Sequence, residues 1–307
     1  MNDTELDEEL RRRGLIAEPA EHVTIALAMV GRSAVSFEVL KQWIGALREV
    51  HWPGPTFLMP EIYAAGAWTG VTPLRNLCTH KAMLDPSWQY LLWIDADHKV
   101  HHKLFERCQE HARAGRAVVG GPYFMRAYPF EVNAFGEQKA DGVMYVSPTI
   151  LVPALKEPGG YAKALGMEPP AGSGWPVIPV TGVGTGTMLI RRDVLERMIE
   201  VRGEGNVWHV ERVPWQQQVA MLERGEGISG VMTEDILFCL EVAEFLGETV
   251  WLDLDPRMET GHQGEQTVDR RHYIAAHEPL IPPGTNPADL QLPRGYELVH
   301  PPIKLER

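Results

Sequence analysis

Short apolar runs alternate along this chain with longer amphipathic stretches. The apolar runs, typical of strands buried on both faces of a sheet, cover residues 23–30, 56–59, 90–94, 117–120, 187–190 and 249–254. The amphipathic stretches, whose periodicity is helical, cover residues 37–49, 73–84, 103–114, 192–199 and 234–245. This alternation predicts an α/β fold with a mixed, mainly parallel sheet that is flanked by helices on both faces.

In the rest of the chain, the pattern of apolar and polar positions is weaker. Residues 131–152 contain short alternating segments that predict a β-meander, and residues 155–179 are rich in Gly, Pro and Ala, as in a loop. No linker divides the chain. We therefore expect a polar leader over residues 1–21, a single domain over residues 22–278 and a Pro-rich extension over residues 279–307.

Net charge, apolar run length and cysteine content indicate which partners and which cellular compartment to expect. The 307 residues carry a formal net charge of -12, which argues against a broad nucleic-acid-binding face. The first residues lack the apolar core of a signal peptide, and no apolar run is long enough to span a bilayer. We therefore expect no membrane anchor and a cytoplasmic location, in a bacterium or a phage-infected host. The three cysteines lie in predicted helices and are expected to be buried free thiols.

The most informative segment is an apolar strand that ends in two carboxylates, YLLWIDADH over residues 90–98. Asp95 and Asp97 follow this strand at its carboxyl end, the edge of a parallel α/β sheet where ligands bind. Side chains two residues apart on an extended chain point to the same side, so the carboxylates repel each other unless a cation lies nearby. A divalent ion such as Mn²⁺ or Mg²⁺ takes such oxygen ligands. The alternative is a surface turn, in which Asp is common.

Three histidines, His98, His101 and His102, follow the acidic pair. Their spacing is not that of two zinc ligands on one helix, and His102 is expected to open a helix at the surface. Because carboxylates favour a harder ion than zinc, the sequence predicts manganese or magnesium here.

Two segments further along the chain also carry chemistry-bearing residues. In TGVGTGTMLIR, residues 181–191, Gly182, Gly184 and Gly186 precede an apolar strand and permit close approach and unusual dihedral angles. The segment is not a dinucleotide fingerprint, which would follow a strand and open a helix. Residues 233–235, Thr-Glu-Asp, precede an apolar helix. An acidic pair at a helix N-terminus also has a structural explanation, since it complements the helix dipole.

The order of these segments resembles that of GT-A glycosyltransferases from bacteria and bacteriophages, and also that of mannan-polymerase-type mannosyltransferases. The resemblance covers roughly residues 23–275. Its segments are Arg75-Asn76 at the start of a helix, the Asp95-x-Asp97 pair, the glycine loop, Thr233-Glu234-Asp235, and Gly261-His262 after a strand. The resemblance implies a GT-A, Rossmann-like fold and metal-dependent use of a nucleotide sugar, either a UDP-sugar or a GDP-sugar.

The same resemblance implies roles for individual residues. Asp95, Asp97 and His262 would bind the metal ion. Asp235 would be the general base, with Glu234 beside it, and the helix dipole would keep Asp235 ionised. The donor would contact Arg75, Asn76, Asp95, Gly184, Thr185 and Gly186. By analogy with the fold alone, Arg32 and Glu61, after the first two strands, would contact the nucleotide.

The sequence thus predicts an enzyme that transfers a sugar to an acceptor hydroxyl. The Thr-Glu-Asp match favours inversion at the anomeric carbon, whereas the mannosyltransferase likeness favours retention, so both stay open. One alternative is a nucleotidyltransferase on a similar fold, although VGRSAVS after the first strand is a poor match to the basic Gly-rich loop of those enzymes. Another is a non-catalytic sugar-binding module.

The acceptor is open as well: a modified DNA base, a protein or a glycan. Four tryptophans in loop-like segments are candidates for stacking on sugar rings or bases, namely Trp68, Trp175, Trp208 and Trp215.

Overall fold

The computed structural model describes residues 23, 25–30, 71–95, 98–124, 132–139, 142–146, 148–160, 162, 174–209, 211–212, 231–263 and 267–281. The helices are α1 (Val71–Met83), α2 (Leu104–Arg113), α3 (Pro148–Lys156), α4 (Arg192–Arg202), α5 (Glu234–Leu246) and α6 (Arg270–His277), followed by a 3-10 turn at Glu278–Leu280. The strands are β1 (Ile25–Val30), β2 (Tyr90–Asp95), β3 (His98–Val100), β4 (Val118–Gly120), β5 (Ala134–Lys139), β6 (Gly142–Tyr145), β7 (Val177–Val180), β8 (Gly182–Val183), β9 (Thr187–Arg191), β10 (Glu211–Arg212), β11 (Val231–Met232), β12 (Val250–Asp253), β13 (Thr260–Gln263) and β14 (Thr267–Val268).

A six-stranded mixed sheet in the order β1-β2-β9-β4-β12-β7 forms the centre of the fold. Strands β1 and β2 are parallel, as are β4 and β12, while β9 lies antiparallel between β2 and β4, and β7 lies antiparallel to β12. Strands β1, β2, β4 and β12 therefore run in one direction and β9 and β7 in the other. The predicted α/β class, with a mixed sheet flanked by helices, is confirmed.

The continuous apolar runs are explained by burial on both faces of this sheet. In β2, Leu91 and Trp93 face a core shared with helices α1, α4 and α5. Tyr90, Leu92 and Ile94 face a second core formed with helix α2. Because alternate side chains of a strand point to opposite faces, a strand with helices on both sides needs apolar residues at every position.

Two expectations for the middle of the chain were wrong in part, within the residues that the structure describes there. The meander expected over residues 131–152 is a hairpin of β5 and β6 followed by helix α3. The buried residues of α3 recur at helical spacing, namely Leu151, Val152, Ala154 and Leu155. The loop expected over residues 155–179 includes strand β7, whose alternate residues Ile178 and Val180 are buried where it pairs with β12.

The structure also differs from the sequence prediction in where one helix begins and in an additional helix. Helix α1 begins at Val71, so Arg75 and Asn76 lie in its second turn and do not open it. Helix α6 was not predicted; it begins at the Asp269 side chain, which accepts a hydrogen bond from the Arg271 amide. The leader over residues 1–21, the helix expected at 37–49 and the strand expected at 56–59 lie outside the described residues, as does the chain beyond residue 281.

The three cysteines match their prediction. Cys78, Cys108 and Cys239 lie in helices α1, α2 and α5, and all three are buried free thiols. None of the described helices is long and apolar enough to cross a membrane.

A charged cluster connects helix α2 to the end of strand β12. The buried Asp253 carboxylate accepts hydrogen bonds from Arg107 Nε at 2.6 Å and Nη2 at 3.1 Å, and from His111 Nε2 at 2.6 Å. Arg116 Nη1 lies 3.0 Å from His111 Nδ1. Because a guanidinium can only donate, Nδ1 is the acceptor and the ring proton is on Nε2. His111 is therefore neutral in the folded protein.

We expect the free energy of unfolding to fall as the pH drops below about 6.5. Burial lowers the pKa of His111 in the folded state below its usual 6.5, despite the opposing Asp253 charge. The unfolded chain therefore takes up the proton first and is favoured by acid, by at most about 1.4 kcal/mol per pH unit. Urea unfolding of wild type and His111→Gln between about pH 5 and pH 8 tests this. The variant should show the weaker pH dependence, and parallel curves would contradict the assignment.

Candidate active site

The acidic segment and the glycine loop lie at the same edge of the central sheet. Strand β2 ends at Asp95, and its neighbour β9 begins at Thr187, with Ile94 paired to Thr187. Because β9 runs antiparallel to β2, the loop that leads into β9 is at the edge where β2 ends. Gly184, Thr185 and Gly186 are thus brought close to Asp95 by strand pairing alone.

Arg75 joins two acidic segments that are far apart in the sequence. Its Nη2 lies 3.1 Å from Asp95 Oδ1, and its Nε lies 3.1 Å from Glu234 Oε1. The arginine side chain is only 3% exposed, against 24% for Asp95 and 15% for Glu234. Burial alone would lower the pKa of Arg75, but the charges of Asp95, Glu234 and Asp235 raise it above its usual value. The guanidinium is therefore a permanent buried cation between the two segments.

The third nitrogen of this guanidinium makes no hydrogen bond to the described residues. Arg75 Nη1 is buried and has no hydrogen-bond partner among the described residues, and the same holds for Trp93 Nε1. The guanidinium carbon lies 5.5 Å from the Trp93 ring centroid and 5.6 Å from that of Trp208, within cation–π range. Two aromatic rings thus pack against the cation, and its Nη1 amino group has no partner among the described residues.

Trp208 is a core residue that is fixed to helix α1. It is 1% exposed and stacks on Phe238 with ring centroids 4.4 Å apart. Asn76 Nδ2 donates to the Trp208 carbonyl at 2.7 Å, and the Trp208 amide donates to Asn76 Oδ1 at 3.0 Å. The Trp208 indole nitrogen donates to Thr79 Oγ1 at 2.9 Å. Stacking of Trp208 on a sugar or base, one of the sequence-based interpretations, is therefore wrong, because the ring is enclosed.

Of the other three tryptophans proposed for stacking, the structure describes one. Trp175 is half-buried, and the Arg270 guanidinium carbon lies 4.9 Å from its ring centroid. Trp68 and Trp215 lie outside the described residues.

Asp235 is buried in the first turn of helix α5. Its Oδ1 accepts from the Ile236 amide at 2.9 Å, and its Oδ2 accepts from the Thr185 amide at 3.3 Å. Thr233 occupies the N-cap position without a side-chain capping bond; its hydroxyl instead hydrogen-bonds Asp235.

The electrostatics of Asp235 differ from the expectation. Burial raises the pKa of Asp235, and the adjacent Glu234 raises it further, while the Thr233 hydroxyl and Arg75 act in the opposite direction. The helix N-terminus was expected to keep this carboxyl ionised, but desolvation has the larger effect. A carboxyl whose pKa is raised holds an accepted proton more readily, which suits a general base.

The glycine loop requires glycine for space and not for dihedral freedom. Neither Gly184 nor Gly186 has a positive φ. A Cβ at Gly184 would lie 2.1 Å from Asn133 Nδ2 and 2.4 Å from Tyr123 Cε1, and one at Gly186 would lie 2.3 Å from Tyr123 Cδ1. The sequence predicted that some group would approach the backbone of this loop closely, and the Tyr123 and Asn133 side chains do so. The unusual dihedral angles that were also expected at Gly184 and Gly186 are absent.

Tyr123 is a site residue that the sequence analysis missed. It follows Gly120-Gly121-Pro122 at the carboxyl end of β4, which is the edge where β2 also ends. Desolvation raises the pKa of its phenol well above the usual range, and the charges of Asp235 and Asp95 raise it further. The position of a tyrosine directly after a predicted buried strand was the available signal.

Strand pairing also places the Gly-His segment near the acidic segment. Strands β3 and β13 are antiparallel, with His262 paired to His98 and Gly261 paired to Lys99. His262 therefore lies opposite the residue that follows Asp97 in the chain. Asp97 itself and the His262 side chain lie outside the described residues, as do Arg32 and Glu61.

The described residues do not by themselves form a metal site. Among them, no group of three or more His, Cys, Asp and Glu side chains is arranged to hold an ion. Asp95 contributes a half-buried carboxylate, a ligand type that suits a hard cation, and one of its oxygens is bound to Arg75. His101 and His102 stack on each other with ring centroids 4.2 Å apart.

Comparisons with known proteins leave the family open. No family model matches the sequence, and no curated protein matches it. Similar solved structures include A197 from STIV, at 11% identity, TM-score 0.44, and coverage of 80% of this chain and 97% of that one. GalNAc-T7 with UDP, GalNAc and Mn2+ matches at 11% identity and TM-score 0.39, covering 85% of this chain and 48% of that one. The 4-diphosphocytidyl-2C-methyl-D-erythritol synthase from Anaerococcus prevotii DSM 20548 matches at 11% identity and TM-score 0.35, covering 84% and 96%. Similarities of this size do not assign an activity.

Proposed function

We propose that this chain is a metal-dependent glycosyltransferase, which transfers a sugar from a nucleoside-diphosphate sugar to an acceptor hydroxyl. The observation that supports this most is the double ion pair of Arg75 with Asp95 and Glu234. It brings the Asp-x-Asp and Thr-Glu-Asp segments together at one sheet edge. A donor-binding group and a base must be adjacent in such an enzyme, and the two segments that resemble them are in contact through one arginine.

Arg75 is proposed to bind the diphosphate of the donor. Its Nη1 has no described partner, and a guanidinium binds phosphate oxygens through charge-assisted hydrogen bonds. Asn76 positions Trp208, which in turn packs against Arg75. Gly184, Thr185 and Gly186 border the site through backbone groups, while Arg32 and Glu61 stay proposed nucleotide contacts on sequence grounds.

Asp95, Asp97 and His262 are proposed to hold Mn²⁺ or Mg²⁺. Such an ion supplies positive charge that stabilises the leaving diphosphate. The carboxylates match the ligand preference of both ions, and the pairing of β3 with β13 supports a position for His262 beside the acidic segment.

Asp235 is proposed to act as the general base. It accepts the proton of the acceptor hydroxyl, whose oxygen bonds to the anomeric carbon of the donor. The bond from that carbon to the diphosphate oxygen breaks, and the nucleoside diphosphate departs with the electron pair. Attack opposite the leaving group inverts the anomeric centre. Glu234 is held beside this carboxyl by Arg75.

Asp97→Ala is expected to abolish metal-dependent donor binding while the fold survives. Removing one carboxylate from the ion's ligands should weaken nucleoside-diphosphate binding in Mn²⁺ more than about tenfold, or about 1.4 kcal/mol. Calorimetry with UDP and GDP, with and without Mn²⁺, measures this. Asp193→Ala, in the first turn of α4 with a side chain that is 44% exposed, is the matched control. Equal affinities for the two variants would exclude Asp97 as a ligand.

The proposed function itself is tested by screening UDP-, GDP- and TDP-sugars by calorimetry with Mn²⁺, followed by a product assay. Release of nucleoside diphosphate from a bound donor supports sugar transfer. Formation of pyrophosphate from a nucleoside triphosphate and a sugar phosphate would instead show a nucleotidyltransferase. Binding of a sugar without turnover in either assay would show a non-catalytic module.

A further inference from the structure

The Tyr123 ring packs directly against the glycine loop. Its carbon atoms occupy the space that a Cβ at Gly184 or Gly186 would need. The ring also meets His98 edge to face, with ring centroids 5.0 Å apart. The ring therefore contacts both the loop and strand β3, and because no space separates ring and loop, a shift of one displaces the other.

Hydrogen bonds connect Tyr123 to the loop through Asn133. The Asn133 amide donates to the Tyr123 carbonyl at 2.9 Å, and the Gly184 amide donates to the Asn133 carbonyl at 2.9 Å. The Asn133 side chain also donates to the Tyr123 hydroxyl. The next residue after Gly184 is Thr185, whose amide donates to Asp235 at 3.3 Å. A continuous set of contacts thus leads from the Tyr123 ring to the Asp235 carboxylate.

The Thr185 amide is one of two backbone amides that donate to the Asp235 carboxylate, the other being that of Ile236. Among the described residues, the titratable and charged groups near this carboxyl are Glu234 beside it, Arg75 from α1, Tyr123 after β4 and Cys239 one turn along α5. An amide that donates to a carboxylate favours its ionised form. The orientation of the loop therefore affects how readily Asp235 accepts a proton and where it points.

We propose that Tyr123 is a positioning residue for Asp235: its ring fixes the Gly184–Gly186 loop so that the Thr185 amide donates to the Asp235 carboxylate. The proposal rests on the proposed function only in taking Asp235 as the base. The contact between ring, loop and carboxylate is a property of the protein without any substrate.

The test is a double-mutant cycle between Tyr123 and Gly186. In Gly186→Ala the new methyl group overlaps the Tyr123 ring, so the loop must shift. We expect kcat to fall about a hundredfold, the effect of a misplacement of about 1 Å, and the acid limb of the pH–rate profile to move to higher pH. In the Tyr123→Ala background the methyl group has room, so adding Gly186→Ala should change kcat less than about threefold. Tyr123→Phe keeps the ring, so kcat in that background should remain sensitive to Gly186→Ala, as it is in wild type.

Gly174→Ala is the matched control, because a Cβ there would meet none of the described atoms within 4 Å, and it should leave kcat unchanged. An equal loss from Gly186→Ala in both backgrounds would overturn the proposal, since the ring would not be what the loop depends on. A wild-type pH profile in Gly186→Ala would also overturn it.

A second measurement covers the case in which Tyr123→Ala does not fold or the chain does not transfer sugars. The Thr185 amide proton, followed by NMR in the absence of substrate, should report the titration of Asp235 in wild type, Tyr123→Phe and Gly174→Ala. In Gly186→Ala, the Thr185 amide proton should no longer respond to the titration of Asp235. If the response persists in Gly186→Ala, the positioning role is wrong whatever the activity. If the response of the Thr185 amide proton is lost in Gly186→Ala while wild type transfers sugar from no donor, the proposed function fails and the positioning role stands.

Discussion

Asp235→Asn is expected to reduce sugar transfer by about 10²–10⁴-fold, the usual contribution of a general base, while donor binding is retained. Asn has the size of Asp but cannot accept the proton of the acceptor hydroxyl. Initial rates with saturating donor, together with calorimetry of donor binding, measure the two effects separately. Because Arg75, the proposed diphosphate contact, pairs with Asp95 and Glu234 and not with Asp235, the donor site should survive the substitution.

The stability of this variant has to be measured as well. The Asp235 carboxylate accepts from two backbone amides, those of Ile236 and Thr185. A carboxamide has one oxygen, so one of these amides loses its acceptor, at a cost of about 1–3 kcal/mol. Asp193→Asn, also in the first turn of a helix, is the matched control for the change at a helix N-terminus. If folded Asp235→Asn binds donor normally and transfers sugar within a few-fold of wild type, Asp235 is not the base, and inversion loses its main support.

Arg75→Gln is expected to have the largest effect on stability together with a loss of donor binding. Removing the cation leaves Asp95 and Glu234 without their shared partner, and a charge that loses its buried partner typically costs about 3–5 kcal/mol. The lower end, about 3 kcal/mol, is expected because both carboxylates keep some contact with solvent. Urea unfolding measures the stability, and calorimetry with nucleoside diphosphate measures the binding.

Two further variants define what Arg75 contributes. Arg271, whose side chain is 82% exposed and pairs with Asp269, provides the control: Arg271→Gln should leave the urea unfolding midpoint close to that of wild type, because exposed ion pairs contribute little. Arg75→Lys keeps the charge but lacks the planar fork that reaches both carboxylates, so it should recover only part of the stability. A loss below about 1 kcal/mol in Arg75→Gln would mean that the double ion pair does not join the two segments in solution.

Much of the fold follows from the sequence alone. The strands at residues 90–95 and 187–191 are buried on both faces, and continuous apolar runs report this locally. The three cysteines were correctly expected to lie in helices as buried free thiols. Helix α3 and strand β7 were missed because Pro and Gly dominate their surroundings, and tertiary packing outweighed local propensity.

The arrangement of the candidate site was decided by the tertiary structure. The sequence placed Asp95 at the end of an apolar strand and Asp235 at the start of a helix, because strand ends and helix ends are marked by local patterns. It did not show that Arg75 lies between Asp95 and Glu234, that Trp208 is enclosed, or that Tyr123 fills the space beside the glycine loop. Those facts depend on which segments pack together, and burial, which raises the pKa of Asp235, exists only once they have packed.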